Sequence, residues 1–304
     1  MTEIRVPDRR DMWIHMLLYP GHTLPTALAP ILVAVGLAVR DGSFAALPAL
    51  FAFIAGWLIQ VGGVFTDNYE NLVRHPDDRE HPQLVTALRN GALTLAGLRA
   101  AIAACYLGAL AAGAYLISVA GLPVLWIGLA AIAASLLYSA GPWPFGLAGL
   151  ADPVFLLFFG AVSVSGGYVV QALPESLPWN AVALGLPVGA LTTCILIIDD
   201  IRDREFDLEK GKRTVAVRWG LRWSRAEFLA LMGAAYLAPI WAWGWLEFSA
   251  TVLLPLATLP LAVATTRLVF RLERFEDLVP MTPRAARLLL AYSALLAAGV
   301  GMSD

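Results

Sequence analysis

The chain has 304 residues, of which 59% are apolar and only 14% are charged, and its mean hydropathy is +0.70. Soluble domains are about 45–50% apolar and about 25% charged, so this chain has too few charged residues to cover a globule in water. Its 21 basic and 23 acidic residues nearly balance, and the composition excludes a disordered chain, a collagen-like fibre, a disulfide scaffold and a nucleic-acid-binding protein.

Nine apolar segments are long enough to cross a bilayer as helices, which takes about 20 residues each. None of them has the two-residue alternation of a barrel strand. We therefore predict an all-α integral membrane protein, a single domain over residues 1–304 in which nine transmembrane helices surround a central cavity. The predicted spans cover residues 23–39, 44–65, 94–119, 122–140, 151–172, 178–198, 226–246, 249–270 and 285–302.

The distribution of basic residues predicts the orientation of these helices. If the N-terminus is cytoplasmic, every Arg and Lys except Arg40 falls on the cytoplasmic side, as the positive-inside rule requires. We expect a protein of the cell inner (plasma) membrane, with a cytoplasmic N-terminal leader over residues 1–20 and an external C-terminus. The leader is charged and no small-residue cleavage site closes the first span, so that span is not predicted to be a cleaved signal.

Acidic residues concentrate in two of the predicted cytoplasmic segments. The first acidic segment, residues 67–80, follows the second span, and the second acidic segment, residues 199–214, follows the sixth. Because these spans are four apart, the two segments hold equivalent places in two four-helix pseudo-halves, and the ninth helix is extra.

The second acidic segment has the more specific pattern. Asp199, Asp203 and Asp207 recur every four residues, which places them on one face of a helix. Like charges at this spacing repel, so the pattern indicates a neutralising cation, and oxygen ligands of this kind suit Mg²⁺ shared with substrate phosphates. Lys210, Lys212 and Arg213 follow at once, so a ligand with a diphosphate head and a hydrocarbon tail is indicated. The alternative is a solvated loop whose arginines pair with anionic lipid.

Two other groups of polar residues are not predicted to belong to the site. Asp152 opens the fifth predicted span, where an acid is expected to cap the helix. The spacing of His75, Asp77, Asp78 and His81 matches no standard zinc pattern, so we do not predict a zinc site there.

Five further stretches resemble one protein family when they are taken together with the two acidic segments. They are Thr23-Leu24-Pro25, Tyr138–Gly146, Gly149–Asp152, Val154–Gly160 and Gly211–Gly220. The chain resembles the UbiA superfamily of intramembrane prenyltransferases, and within it the 1,4-dihydroxy-2-naphthoate prenyltransferases of menaquinone biosynthesis. The resemblance extends over nearly the whole chain, from Trp13 to Gly301.

The resemblance implies a metal site and a diphosphate site at the two acidic segments. The implied Mg²⁺ ligands are Asp67, Asn68, Glu70, Asp199, Asp203 and Asp207. The implied diphosphate-binding residues are Asn71, Arg79, Lys212 and Arg213. The implied catalytic residues are Asp199 and Asp203, which support ionisation of the donor, and Tyr138, whose ring would shield the resulting allylic cation. An interfacial anchor is the alternative for Tyr138.

The first acidic segment departs from the family pattern. The usual Asn-Asp order is reversed in Asp67-Asn68, and Asn71 stands in place of an aspartate. Asparagine offers Mg²⁺ a carbonyl oxygen but no charge, so we expect weaker metal binding or a shifted ligand set. The basic residue that usually precedes Thr-Leu-Pro is His22.

The implied activity is Mg²⁺-dependent transfer of a prenyl group from a polyprenyl diphosphate to an aromatic acceptor resembling 1,4-dihydroxy-2-naphthoate. Two alternatives stay open: a UbiA-type terpene cyclase, which ionises the same donor without an acceptor, and a non-catalytic lipid- or quinone-binding membrane protein. The expected partners are a prenyl diphosphate, an aromatic acceptor and membrane lipid, with no nucleic acid.

Overall fold

The computed structural model describes residues 9–18, 21–173 and 178–303, and these described residues are helical with no strand. Nine of their helices are long and apolar enough to cross a membrane, which confirms the all-α membrane fold. We number them as spans 1 to 9. Their bounds are Thr23–Arg40, Ala46–Arg74, Leu95–Ala120, Leu122–Ser139, Ala151–Ala172, Trp179–Arg202, Leu221–Trp245, Ala250–Arg271 and Phe275–Gly301.

Shorter helices precede or connect the spans. Their bounds are Arg9–Leu18, Pro82–Arg89, Phe145–Ala148, Arg204–Glu209 and Val215–Arg218. Of the predicted leader over residues 1–20, Arg9–Leu18 is helical and the remaining residues lie outside the described ranges. Asp152 was expected to cap span 5, but the N-cap position belongs to Leu150, and Oδ1 of Asp152 is buried without a hydrogen-bond partner among the described residues.

Four spans extend about one helical turn or more beyond the ends that hydropathy predicted. Span 2 continues to Arg74 instead of ending at residue 65, span 6 continues to Arg202 instead of ending at residue 198, span 7 begins at Leu221 and span 9 begins at Phe275. Hydropathy marks the part of a helix that matches the hydrocarbon, whereas backbone hydrogen bonds continue a helix through polar residues beyond it. The start of the first acidic segment is therefore the last two turns of span 2, not a loop.

Span 6 is the most enclosed of the nine spans. Its side chains Cys194, Ile195, Ile197 and Ile198 are at most 2% exposed, and it packs against spans 1, 5, 7 and 9. A helix that is apolar on every face is expected in the interior of a bundle. This position fixes the end of span 6, from which the second acidic segment continues.

A second, smaller core supports the first acidic segment. Phe65 and Leu72 of span 2 pack with Leu84 of the helix Pro82–Arg89 and with Leu98 of span 3. The two acidic segments are thus carried by different cores, and each is fixed by apolar packing beneath it.

Glycines allow spans 5 and 6 to approach at backbone contact. A Cβ atom on Gly189 would lie 2.2 Å from the carbonyl oxygen of Leu156, and one on Gly185 would lie 2.7 Å from that of Gly160. Gly185 and Gly189 are four residues apart, the small-residue spacing that permits close helix packing in membranes. The facing part of span 5, Leu156–Val162, is a π-helix, a distortion that is frequent at functional sites.

We predict that Gly189→Ala destabilises the protein by about 1–3 kcal/mol, because the added methyl group meets backbone that cannot move aside. The matched control is Gly233→Ala in span 7, where a Cβ atom meets nothing within 4 Å. Denaturant unfolding of both variants in detergent measures the difference. Equal stabilities for the two variants would contradict the close packing of spans 5 and 6.

Candidate active site

A cavity of about 650 Å³ lies among spans 1, 2, 4, 5 and 6. Part of its wall is apolar and aromatic, with Phe155, Phe158 and Phe159 from span 5 and Ile59 and Val64 from span 2. The rest of the wall is polar, because the ends of spans 2 and 6 bring both acidic segments to it. The cavity therefore matches a ligand that is charged at one end and apolar along the rest.

Span 2 places three residues of the first acidic segment on the cavity wall: Asp67, Asn68 and Asn71. Asp67 is held by neutral donors, since Ser139 Oγ donates to its Oδ1 at 2.8 Å and Asn71 Nδ2 donates to its Oδ2 at 3.2 Å. The amide of Asn71, one helical turn after Asp67, thus orients a carboxylate.

The second acidic segment contributes Asp199, Asp200, Asp203 and Asp207 to the wall. The backbone N–H of Asp203 donates to the carbonyl of Asp199, and that of Asp207 donates to the carbonyl of Asp203, both at 2.8 Å. These bonds continue the helical spacing through the end of span 6 and into the helix Arg204–Glu209. The three aspartates predicted to share a helix face are all brought to one cavity.

Arg202 fixes the first two of these aspartates. Its Nη1 donates to Asp199 Oδ1 at 2.6 Å, and its Nε and Nη2 donate to the two oxygens of Asp203 at 2.7 and 2.5 Å. Thr282 of span 9 donates to the same Asp199 oxygen at 2.5 Å. The guanidinium spaces the two carboxylates rigidly, as its planar fork allows. Sequence reasoning missed this role, although the i, i+3 spacing of Asp199 and Arg202 offered a signal.

Lys212 pairs with Asp207, with Nζ 2.8 Å from Oδ1. The Asp207 side chain is 1% exposed, and its Oδ2 accepts no hydrogen bond within the described part of the chain. Burial raises the pKa of Asp207, against the opposing charge of Lys212. Although burial disfavours the ammonium, Asp207 raises the pKa of Lys212 well above its usual range. Lys212 is therefore a fixed cation at the polar end of the cavity.

Tyr138, at the end of span 4, also lines the cavity. Its ring lies edge-on to Phe145 with centroids 5.6 Å apart and is tilted against Phe155 at 5.8 Å. The phenol ring thus joins an aromatic group at the boundary between the polar and apolar parts of the wall.

Three predicted site residues do not line the cavity. Glu70 turns away from it and pairs with Arg74 at 2.9 Å. Arg79 is exposed and pairs with Glu209 at 2.5 Å. Arg213 is also exposed. Its backbone N–H donates to the carbonyl of Leu147 at 2.9 Å.

Several residues that sequence reasoning did not assign line the cavity instead: His22, Gln60, Glu80, His81, Asp200 and Arg202. Nδ1 of His22 is buried and has no hydrogen-bond partner among the described residues. Asp200, next to Asp199, and Arg202, three residues after it, gave a local signal. The others depend on how distant spans meet.

The donor set fits a hard divalent cation. Asp67, Asp199, Asp203 and Asp207 supply carboxylate oxygens, and Asn68 supplies an amide oxygen, all on the wall of one cavity. Oxygen ligands from carboxylates and amides suit Mg²⁺, which also retains water or phosphate ligands. The buried Oδ2 of Asp207, which accepts no hydrogen bond from the described residues, is an acceptor that such an ion would satisfy.

Comparisons with known proteins find relatives in one enzyme family. The sequence profile of the UbiA prenyltransferase family matches residues 27–277. The 1,4-dihydroxy-2-naphthoate octaprenyltransferase of Escherichia coli K12 is 30% identical over 320 residues, which covers 100% of this chain and 99% of that protein.

Two solved structures share the fold. A UbiA homolog from Aeropyrum pernix K1 superposes with a TM-score of 0.67 at 20% identity, over 90% of this chain and 96% of that one. A UbiA homolog from Archaeoglobus fulgidus bound to GPP and Mg²⁺ superposes with a TM-score of 0.62 at 16% identity, over 93% of this chain and 98% of that one.

We predict that Mg²⁺ binding releases protons. Burial raises the pKa of Asp207, so this carboxyl keeps a proton to higher pH than an ordinary aspartate, whereas a metal ligand must be ionised. Mg²⁺ affinity should therefore rise with pH across the acidic range, and calorimetry in that range in two buffers of different ionisation enthalpy should give different heats.

Asp207→Asn is expected to remove most of this buffer dependence. The exposed Asp77, which pairs with Arg89, provides the control variant Asp77→Asn, which should retain it. Equal heats in both buffers for the unmodified protein would contradict the assignment of Asp207.

Proposed function

Since this chain belongs to the UbiA prenyltransferase family and is a prenyltransferase, we propose that it transfers a prenyl group from a polyprenyl diphosphate, with Mg²⁺, to an aromatic acceptor resembling 1,4-dihydroxy-2-naphthoate. The observation that carries this proposal is the cavity itself. Carboxylates of both acidic segments meet at its polar end, while its other walls are apolar and aromatic.

The donor is proposed to lie along the cavity. Its diphosphate faces Lys212, and Asp67, Asn68, Asp199, Asp203 and Asp207 hold the Mg²⁺ that accompanies it. The prenyl tail then contacts the phenylalanines of span 5. The Archaeoglobus fulgidus homolog, whose fold this chain shares, was bound to GPP and Mg²⁺, which supports a donor of this class.

Catalysis is proposed to begin with cleavage of the allylic C–O bond. When bound, Mg²⁺ supplies charge stabilisation for the leaving diphosphate. Lys212 donates hydrogen bonds to the diphosphate oxygens as they gain the electron pair, and Arg202 keeps Asp199 and Asp203 in place throughout. The rings of Tyr138 and Phe155, which contact each other on the cavity wall, are proposed to stabilise the positive charge that develops on the allylic carbon. A ring carbon of the acceptor then forms the new C–C bond to the allylic carbon, and the ring regains its aromaticity as that carbon loses its own substituent, either a proton to a diphosphate oxygen or the carboxylate as CO₂.

The acceptor class is proposed from the relatives and from two polar residues. The Escherichia coli protein, similar over the whole chain, is named for 1,4-dihydroxy-2-naphthoate. Gln60 and His22 also lie on the cavity wall, with His22 on the side of Asp199 and Arg202. His22 Nδ1, buried and without a partner among the described residues, offers a hydrogen bond to an acceptor hydroxyl.

The chain is an integral membrane protein, and we propose that its N-terminus and both acidic segments face the cytoplasm. The concentration of Arg and Lys at the ends of the spans that carry the acidic segments supports this orientation. A water-soluble acceptor and Mg²⁺ would then enter from the cytoplasm, and the donor from the bilayer.

The test is the mass of the product formed by purified protein with Mg²⁺, a panel of prenyl diphosphates and 1,4-dihydroxy-2-naphthoate. We expect a prenylated acceptor. Asp199→Ala and Asp203→Ala should lower turnover at least about a hundredfold, since each removes a group aimed at the diphosphate end.

Asp77→Asn is the matched control, because this exposed acid of the first acidic segment lies outside the cavity, and it should retain activity. A cyclic hydrocarbon formed without acceptor would instead identify a terpene cyclase. Unchanged turnover in the Asp199 and Asp203 variants would contradict the proposed site.

A further inference from the structure

A lysine outside the proposed metal and diphosphate residues joins the two acidic segments. Lys210 Nζ lies 3.0 Å from Asp78 Oδ1 and 2.5 Å from Glu80 Oε2. The side chains of Lys210, Asp78 and Glu80 are 6%, 3% and 7% exposed. Water therefore screens these contacts little, and each carboxylate depends on the ammonium for its stability.

Contacts within the loop of residues 78–81 orient the carboxylates of Asp78 and Glu80 toward Lys210. The backbone N–H of Glu80 donates to Asp78 Oδ1 at 3.1 Å, and His81 Nδ1 lies 2.9 Å from Asp78 Oδ2. Although burial opposes ionisation, His81 and Lys210 lower the pKa of Asp78. The loop thus presents two ionised oxygens to one cation.

This cluster has the geometry of a metal site but contains a lysine. Ligand atoms of Asp78, Glu80 and His81 lie within 4.8 Å of one another. The ammonium of Lys210 contacts two of these three residues, so the positive charge that a metal ion would supply comes from the chain itself.

Because of the turn after the helix Arg204–Glu209, the side chains of Lys210 and Lys212 contact different partners. Gly211 has φ +73°, and the backbone N–H of Lys212 reaches back to the carbonyl of Asp207 at 2.9 Å. A glycine in the left-handed conformation commonly ends a helix with this bond. Lys210 then contacts the first acidic segment, while Lys212 contacts Asp207 in the cavity.

We propose that Lys210 is a positioning residue whose ammonium fastens residues 78–81 to the turn that carries Lys212. It thereby holds Glu80, His81 and Lys212 at the diphosphate end of the cavity. Glu80 and His81 line the cavity, and the ion pairs with Lys210 draw their loop onto this turn. The role depends on the proposed function, because diphosphate binding is what the arrangement serves.

A second ion pair joins the same segments and provides a matched control. Arg79 pairs with Glu209 at 2.5 Å, but the side chains of both residues are mostly exposed, at 72% and 57%. Solvated pairs of this kind contribute little. Glu209→Ala, which breaks this exposed pair, should therefore leave the loop in place, whereas Lys210→Ala removes the ammonium that contacts both buried carboxylates and leaves them only His81 as a close side-chain partner.

The experiment compares the unmodified protein with its Lys210→Ala and Glu209→Ala variants by steady-state kinetics and by hydrogen exchange of residues 75–81. Lys210→Ala should raise the KM for the prenyl diphosphate at least about tenfold with a much smaller change in kcat, and should speed exchange in the loop. Added n-propylammonium, which replaces the deleted atoms, should restore both. Glu209→Ala should change neither.

A triple variant keeps the test decisive if Lys210→Ala fails to fold. Lys210→Ala with Asp78→Asn and Glu80→Gln removes all three charges that the ion pairs of Lys210 bring together, and we expect a folded protein with fast loop exchange and a raised KM. Unchanged KM, or unchanged exchange of residues 75–81, in a folded variant would overturn the role of Lys210. If the unmodified protein makes no product, the proposed function fails, and hydrogen exchange alone then decides whether Lys210 fastens the loop.

Discussion

The structure depends on neutralising carboxylates that are buried at the end of an apolar cavity. An ionised carboxylate at this depth is costly unless a cation or several hydrogen-bond donors lie beside it. The chain gives each group its own partner: Arg202 pairs with Asp199 and Asp203, Lys212 pairs with Asp207, and Lys210 pairs with Asp78 and Glu80. Asp67 receives neutral donors instead. The polar end of the cavity is formed by Asp67, Glu80, Asp199, Asp203 and Asp207 together with Arg202 and Lys212.

Apolar packing fixes where these charges stand. Span 6 is enclosed by other spans, so the register of its helix carries through to Asp199 and Asp203. The contact of Gly185 and Gly189 with span 5 sets the same helix against the aromatic wall that begins at Phe155. Because the two spans are packed against each other, a displacement of span 6 would shift both its own acidic residues and the aromatic residues of span 5. Helix packing therefore determines the geometry of the proposed active site.

The sequence predicted the nine spans and the aspartate face, because both depend on local periodicity. It placed Asp67 and Asn68 in a loop because hydropathy ends before the helix does. It predicted that Arg79 and Arg213 bind diphosphate, yet both are exposed, since a motif names a residue but not the direction of its side chain. Lys210 and Glu80 are 130 residues apart, and no local pattern predicts such a contact.

The most direct test is a structure of the protein with Mn²⁺ in place of Mg²⁺ and a non-reactive prenyl S-thiolodiphosphate. We expect anomalous density for the metal among Asp67, Asp199, Asp203 and Asp207, with the diphosphate against Lys212 and the prenyl chain along Phe155 and Phe159. Lys210 should still contact Asp78 and Glu80. Metal bound at Asp78, Glu80 and His81 with Lys210 displaced, or a diphosphate distant from Lys212, would contradict this interpretation of the cavity.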